Sequence, residues 1–298
     1  MKDIRVVVIG HTGFIGQEIF RQLVNKVSDL EGYSTADFDL SDSTSIIQLG
    51  PRLTTDTILI VAAALNREKG DTIEIMQKHI GMIANLAKVL ELYPSTKCVY
   101  LSSADVYGRP EELPITEKTP VNPQSFYGIA KFTCEKILQK VANDKKFSLL
   151  ILRYNGIFGP GQKNTGYGPN NFIKSAIQEG KVRIWGDGSE KRDAVYVFDL
   201  ARLIVDLSLG QAEGIFNVAT GKSVSFEDIV NTLGKISHGP FQVIVKERTS
   251  PALDQKFKIT KLKKYLPRLR FTPFEKALKA TYQFYKEKAE QGELFVYL

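Results

Sequence analysis

The sequence predicts an α/β protein built on a doubly wound parallel sheet, and three observations carry that prediction. Short apolar runs alternate with longer amphipathic stretches from the first residues onward, the order that builds strand–helix–strand units. The strand-like runs are almost continuously apolar, as in Val6-Val7-Val8-Ile9, which suits a sheet covered by helices on both faces. A glycine-rich turn, Gly10-His11-Thr12-Gly13-Phe14-Ile15-Gly16, stands where the first strand would hand over to the first helix.

Taken in order, residues 4–9 form a strand rich in β-branched side chains, and residues 14–27 have helical spacing. Residues 57–64 read as a second buried strand, 72–91 as a long amphipathic helix and 97–102 as a third strand. A helix over 126–143 and a strand over 149–153 follow. The texture then changes: residues 155–171 carry five glycines and two prolines, which reads as a long loop entering a second region. Beyond it, 196–209 and 226–236 are expected helices, 215–219 a short strand and 274–289 a polar, basic terminal helix. The expected division is a first domain over 1–158, with about 194–220 returning to it, and a second region over 159–298.

Composition narrows the class. Of 298 residues, 43% are hydrophobic and 24% charged, which sets aside the disordered, collagenous and disulfide-rich classes. The two cysteines, Cys98 and Cys134, sit among apolar neighbours without a CxxC partner, so buried free thiols are expected and no metal site. The formal charge of +7 is spread along the chain and densest over 256–270. Scattered lysine usually marks a solvated face, and no nucleic-acid partner is expected. The apolar runs at 6–9 and 57–65 are too short to cross a bilayer, and no signal-peptide pattern opens the chain. A cytoplasmic protein without a membrane partner is the expectation.

Three motifs carry chemistry. Glycines at 10, 13 and 16 allow a tight turn, close backbone approach to a pyrophosphate and close helix–strand packing, while the helix start offers free N–H groups to phosphate. An acidic residue about 20 positions on should meet the adenosine ribose, and Asp37 and Asp39 fall there, after Tyr33-Ser34-Thr35. No arginine stands in that stretch to take a 2′-phosphate, although Ser34 and Thr35 could hydrogen-bond one. NAD is favoured and NADP stays open. Second, Tyr127 and Lys131 stand four apart at a helix start, hence on one face. An ammonium there draws the phenol pKa down from about 10 toward the working range. Third, Ser103 lies at the end of a parallel strand in Leu101-Ser102-Ser103-Ala104-Asp105, where open α/β sheets bind ligands.

With GHTGFIG, LSSADVYG and YGIAK in that order, the chain resembles the extended short-chain dehydrogenases, the group of nucleotide-sugar epimerases, dehydratases and ketoreductases. Later segments are similar too: LRYNGIFGPGQ, WGDGSEKRDAVYVFDLA and the Glu247-Arg248 region. The resemblance implies a Rossmann-type domain binding the dinucleotide and a smaller α/β C-terminal region binding substrate. It implies Tyr127 as the acid/base, Lys131 as its partner on the ribose, and Ser103 on the sugar hydroxyl. For the cofactor it implies Gly10, Gly13, Phe14, Ile15, Gly16, Ser34, Thr35, Asp39, Leu40, Ala62, Ala63, Ala64, His79, Ser102, Tyr127, Lys131, Tyr154 and Ile157. For the substrate it implies Ala104, Asp105, Asn155, Asn171, Phe172, Trp185, Arg192 and Arg248, the two arginines clasping a diphosphate.

Departures from the family pattern are informative. Ala104-Asp105 replaces the Asp-Glu pair that family dehydratases place after the serine or threonine. His79 and Gly156 stand where the family commonly has asparagine. The expected function is 4-epimerisation of a nucleotide-sugar through a transient keto sugar, by a homodimer joined through the helices at 72–91 and 126–143. An NADPH-dependent 4-ketoreductase shares every motif. A non-catalytic dinucleotide-sensing regulator would not need Tyr127 and Lys131.

Overall fold

The structure, a computed structural model, describes residues 2–65, 70–163, 168–237, 239–248 and 251–294. Its elements begin with β1 (Lys2–Ile9), α1 (Phe14–Leu23), β2 (Val27–Tyr33), α2 (Ser43–Ile46), β3 (Thr57–Val61), α3 (Ile73–Leu92), β4 (Lys97–Ser103), α4 (Phe126–Lys145) and β5 (Ser148–Tyr154). There follow β6 (Ile157–Phe158), α5 (Pro169–Glu179), β7 (Lys181–Trp185), β8 (Lys191–Asp193), β9 (Val195–Tyr196), α6 (Val197–Leu209) and β10 (Gly214–Val218). The chain continues through β11 (Ser223–Ser225), α7 (Phe226–Ile236), β12 (Gln242–Lys246), α8 (Thr260–Tyr265) and α9 (Phe274–Glu290).

Two compact units emerge. The first comprises Met1–Pro110, Glu117–Tyr154 and Leu200–Val218; the second comprises Glu111–Thr116, Asn155–Asp199 and Ala219–Leu298. In the first, six strands form one sheet in the order β10-β5-β4-β3-β1-β2, with every neighbouring pair parallel. The order reverses between β1 and β3, the switch point at whose carboxyl ends doubly wound sheets take their ligands. Strand β3 is buried at all five positions and β4 at all seven, as continuous apolar runs covered on both faces should be. α3 and α4 lie on one core that contains Met82, Ile83, Leu86, Val89 and Leu90 from α3, and Cys134, Leu138 and Val141 from α4. The broad apolar stripe of α3 that suggested a dimer face is thus largely consumed within its own unit. Both cysteines are buried free thiols.

Local chemistry sets the element ends. Ser125 Oγ accepts the Gly128 N–H at 3.1 Å and starts α4, satisfying a donor that a helix start leaves open. The buried Lys97 ammonium donates to the carbonyls of Leu207, Ser208 and Gly210 at 3.0, 3.1 and 2.9 Å, closing the end of α6 where a cation suits the helix dipole. In the second unit, α5, α7, α9 and β7 enclose a core of Phe172, Ile173, Ile184, Phe226, Ile229, Leu233, Leu278 and Tyr285. The expected loop over 155–171 is in part the start of α5, with Pro169 at its first position; residues 164–167 of it lie outside the described residues. Among the described residues, no helix is long and apolar enough to cross a membrane.

Candidate active site

The glycine turn is shaped by contact as much as by conformation. Gly10 has φ +83°, and a Cβ there would lie 2.7 Å from the Ala63 nitrogen. A Cβ on Gly16 would lie 2.0 Å from the Gly10 carbonyl oxygen. The turn therefore closes down on β3 and α1, and no side chain caps the start of α1 at Gly13. Its N–H groups stay available to an anion. Phe14, Ile15, Ala62 and Ala63 are partly buried and Ala64 is exposed around this turn. Beyond β2, Asp37 accepts the Ser34 N–H and hydroxyl, both at 2.8 Å. Asp39 accepts the same pair from Ser41, both at 2.8 Å. These bonds hold both carboxyls below their ordinary pKa. Thr35 is exposed. A dinucleotide fits this cradle: donors at the pyrophosphate position, acceptors at the ribose position, and glycine where a Cβ would obstruct.

Two expected cofactor residues turn their side chains elsewhere. Leu40 is 3% exposed and belongs to the core. The Ser102 hydroxyl, fully buried, donates to Glu135 Oε1 at 2.5 Å. Only the main chain of either residue is left for a ligand.

At the carboxyl end of β4, Ser103 Oγ accepts the Asp105 N–H at 3.1 Å, which leaves its own proton to donate. Ala104 is buried and Asp105 partly so. Facing them in the same unit, the first turn of α4 carries Tyr127, whose N–H donates to Asp71 Oδ1 at 2.9 Å. One turn on, Lys131 is fully buried. Its Nζ donates to the Leu101 carbonyl at 2.7 Å and lies 5.8 Å from the centre of the Tyr127 ring. Burial pulls the Lys131 pKa down to about 8, against the raising influence of Cys134 and Glu135. Tyr154, at the end of β5, receives a hydrogen bond from the Tyr127 side chain, and burial pushes its own phenol to about 12. His79, on α3, meets the Tyr127 ring edge-on, with centroids 6.2 Å apart.

One more turn along α4, Glu135 supplies a partner that motif reading did not single out. Its carboxylate takes Arg153 Nε at 2.9 Å and Nη2 at 2.6 Å. The Arg153 guanidinium lies 4.9 Å from the Tyr107 ring centre. Tyr127, Lys131 and Glu135 are spaced by four along one helical face, so this buried pair fastens that face to β4 and β5.

In the second unit, Arg192 and Arg248, 56 residues apart in sequence, both pair with the carboxylate of Glu190, which is 6% exposed. Glu190 too escaped motif reading, although it sits two residues before Arg192 on the same side of an extended segment. Arg248 Nη2 also donates to the Trp185 carbonyl at 3.1 Å, and the Trp185 side chain is 37% exposed. Asn171 is partly buried on α5 and Ile157 partly buried on β6. The Phe172 ring, expected at a nucleotide, is 1% exposed and packs edge-on against Phe226 in the core. Asn155 Nδ2 donates to the Asp193 carbonyl at 3.3 Å. Gly156 has φ +48°, and a Cβ there would come 2.6 Å from the same carbonyl oxygen. Asparagine does not fit at 156 because Asp193 runs too close.

A sequence model of the NAD dependent epimerase/dehydratase family matches residues 6–219. A putative UDP-glucose 4-epimerase from Methanocaldococcus jannaschii is 26% identical over 250 residues, covering 76% of this chain and 81% of that one. The UDP-glucose 4-epimerase of Lactobacillus helveticus is 27% identical over 272 residues, covering 78% and 82%. Among solved structures, the UDP-N-acetylglucosamine 4-epimerase of Methanobrevibacter ruminantium, in complex with UDP-N-acetylmuramic acid, superposes with a TM-score of 0.84 at 25% identity. That match covers 97% of this chain and all of the other. The Thermus thermophilus UDP-glucose 4-epimerase complex with NAD gives a TM-score of 0.83 at 22% identity over 94% and 98% of the two chains, a likeness of fold.

Proposed function

The chain belongs to the NAD dependent epimerase/dehydratase family, and from that premise we propose that it is an NAD-dependent nucleotide-sugar 4-epimerase. The carrying observation is Tyr127 beside the fully buried Lys131 ammonium on one face of α4. NAD, when bound, supplies a hydride acceptor that later returns the hydride to the sugar. Tyr127 takes the proton of the sugar C4 hydroxyl as the carbonyl forms, and gives it back after the keto sugar has turned over. Lys131, anchored on Leu101, keeps a positive charge against the phenolate and directs its remaining N–H groups to the cofactor ribose. Ser103 donates its free hydroxyl proton to the sugar oxygen. Arg192 and Arg248 take the diphosphate by planar, paired N–H donors, with Asn155, Asn171 and Trp185 beside the nucleotide. Ala104 gives no carboxylate for eliminating water, which favours epimerisation over dehydration. The carboxylates of Asp37 and Asp39 favour a ribose with free hydroxyls over a 2′-phosphate, hence NAD over NADPH and epimerase over ketoreductase.

The 4-epimerase names of relatives that align over about four-fifths of their length support this reading. The test is incubation with UDP-glucose and with UDP-N-acetylglucosamine, following each 4-epimer by proton NMR, alongside mass spectrometry of the dinucleotide that copurifies. Epimer from either sugar supports the proposal; none from either, with NADPH retained, refutes it. The protein is further proposed to act in the cytoplasm as a homodimer. Ile73 on α3 and Ile129 on α4 remain 49% and 37% exposed, and joining these helices across a two-fold axis would cover them. Ile129→Asp should halve the mass seen by light scattering, and a wild type that is monomeric at micromolar concentration refutes the dimer.

A further inference from the structure

Behind the Tyr127–Lys131 pair lies a buried polar cluster that the reaction above does not use. His79, Tyr100 and Cys134 belong to it: the Tyr100 ring centre is 4.9 Å from Lys131 Nζ, and Cys134 Sγ donates to the His79 carbonyl at 3.9 Å. His79 is the member with an unexplained atom. It is 1% exposed, one ring N–H donates to the Leu65 carbonyl, and Nε2 is buried with no hydrogen-bond partner. The bond to Leu65 assigns the ring proton to Nδ1 and leaves Nε2 a bare lone pair. Burial first, and the Lys131 charge second, push the imidazole pKa down to about 3. The ring is therefore neutral under working conditions, and Nε2 can only accept. Buried acceptors are rarely left unmade, because their desolvation is uncompensated.

The neighbouring ammonium is the complement of this atom. Lys131 has three donors and no acceptor, and one donor is committed to Leu101. A ribose hydroxyl that accepts from this ammonium still carries its own proton, which needs an acceptor. We infer that His79 is a positioning residue for the cofactor's nicotinamide-side ribose, its Nε2 accepting the proton of the hydroxyl that Lys131 holds. This assignment rests on the dinucleotide-binding part of the function proposed above, not on the reaction at the sugar.

The test compares NAD⁺ with ADP, which lacks the nicotinamide-side ribose, by calorimetric titration of the full chain. His79→Leu should weaken NAD⁺ binding roughly tenfold, the worth of one hydrogen bond lost at a buried group, while ADP affinity stays within about twofold. His79→Asn should restore NAD⁺ to within about threefold, because the amide oxygen also accepts. Unchanged NAD⁺ affinity in His79→Leu overturns the inference, as does an equal loss for NAD⁺ and ADP, which would mark a packing role. Should His79→Leu fail to fold, nitrogen-15 NMR of the wild-type imidazole decides: the Nε2 resonance should shift with NAD⁺ and not with ADP, and equal behaviour overturns the assignment. A wild type that binds NAD⁺ with this contrast yet epimerises no sugar refutes the proposed reaction and leaves His79 supported. A wild type that binds neither ligand overturns both.

Discussion

Removing the Arg153 side chain should loosen the helix that carries the reacting groups, and the size of the effect can be worked from its contacts. The Arg153 and Glu135 side chains are 3% and 1% exposed, so solvent cannot rescue whichever charge is left alone. Arg153→Met deletes two charge-assisted bonds, at 2.9 and 2.6 Å, each worth about 1.5–3 kcal/mol. It keeps most of the side-chain volume and leaves the Glu135 carboxylate with only the Ser102 hydroxyl. Breaking a buried pair in this way costs about 3–5 kcal/mol. Urea unfolding at pH 7 should show that loss, and turnover should fall with it, since Lys131 and Tyr127 lie one and two turns away. The loss should shrink at pH 5. An unpaired buried carboxyl has its folded pKa above the unfolded value, so the folded variant binds the proton first and recovers as pH falls. The double replacement Glu135→Leu with Arg153→Met should regain most of the stability, because two apolar side chains leave no orphaned charge. A single-variant loss below about 1 kcal/mol, or a double variant as unstable as the single, would refute the reasoning.

Three further outcomes follow from the site. Tyr127→Phe should lower kcat by roughly 10²–10⁴-fold, the usual share of a general acid–base group, with NAD⁺ affinity nearly unchanged in titration; turnover within a few-fold of wild type would remove Tyr127 from the reaction. Arg192→Ala should weaken UDP binding by roughly 10–100-fold, on the scale of a lost charge-assisted contact, while leaving NAD⁺ affinity alone; equal UDP affinities would make Arg192 only a partner of Glu190. Because the folded His79 pKa, about 3, lies below the unfolded value, the unfolded chain takes the proton first and stability falls as pH drops from about 6.5 toward 3. Between pH 7 and pH 5 the wild type should lose about 2 kcal/mol more unfolding free energy than His79→Asn, and parallel pH profiles would contradict the buried neutral imidazole.

The long elements of the first unit were legible because each announces its own period. Val6 to Ile9 can be buried on both faces only in a covered strand, and a helix over 73–92 shows itself by its spacing. The strands of the second unit were not legible. β7 holds five residues with only Val182 and Ile184 inward, and β12, its parallel partner, has no fully buried position. Neither contains enough apolar alternation to stand out from a polar loop. Glycine and proline density hid α5, since the same Pro169 that reads as a loop residue is also the residue best suited to a helix's first turn.

The site divides along the same physical line. Tyr127 and Lys131 were readable because helical spacing alone puts them together, whereas Glu190, the Leu101 carbonyl and the orphaned nitrogen of His79 matter only through contacts made across the fold. The two departures from the family pattern show why a substitution by itself cannot be interpreted. Gly156 is explained by sterics: the chain turns at φ +48° with the Asp193 carbonyl where a Cβ would be, and Asn155 donates to that carbonyl instead. His79 has no such steric account, since it fills its place and still leaves a buried acceptor unsatisfied. A residue demanded by packing leaves no polar atom over, whereas one retained for a ligand does, and on that distinction His79, not Gly156, belongs to the chemistry of the site.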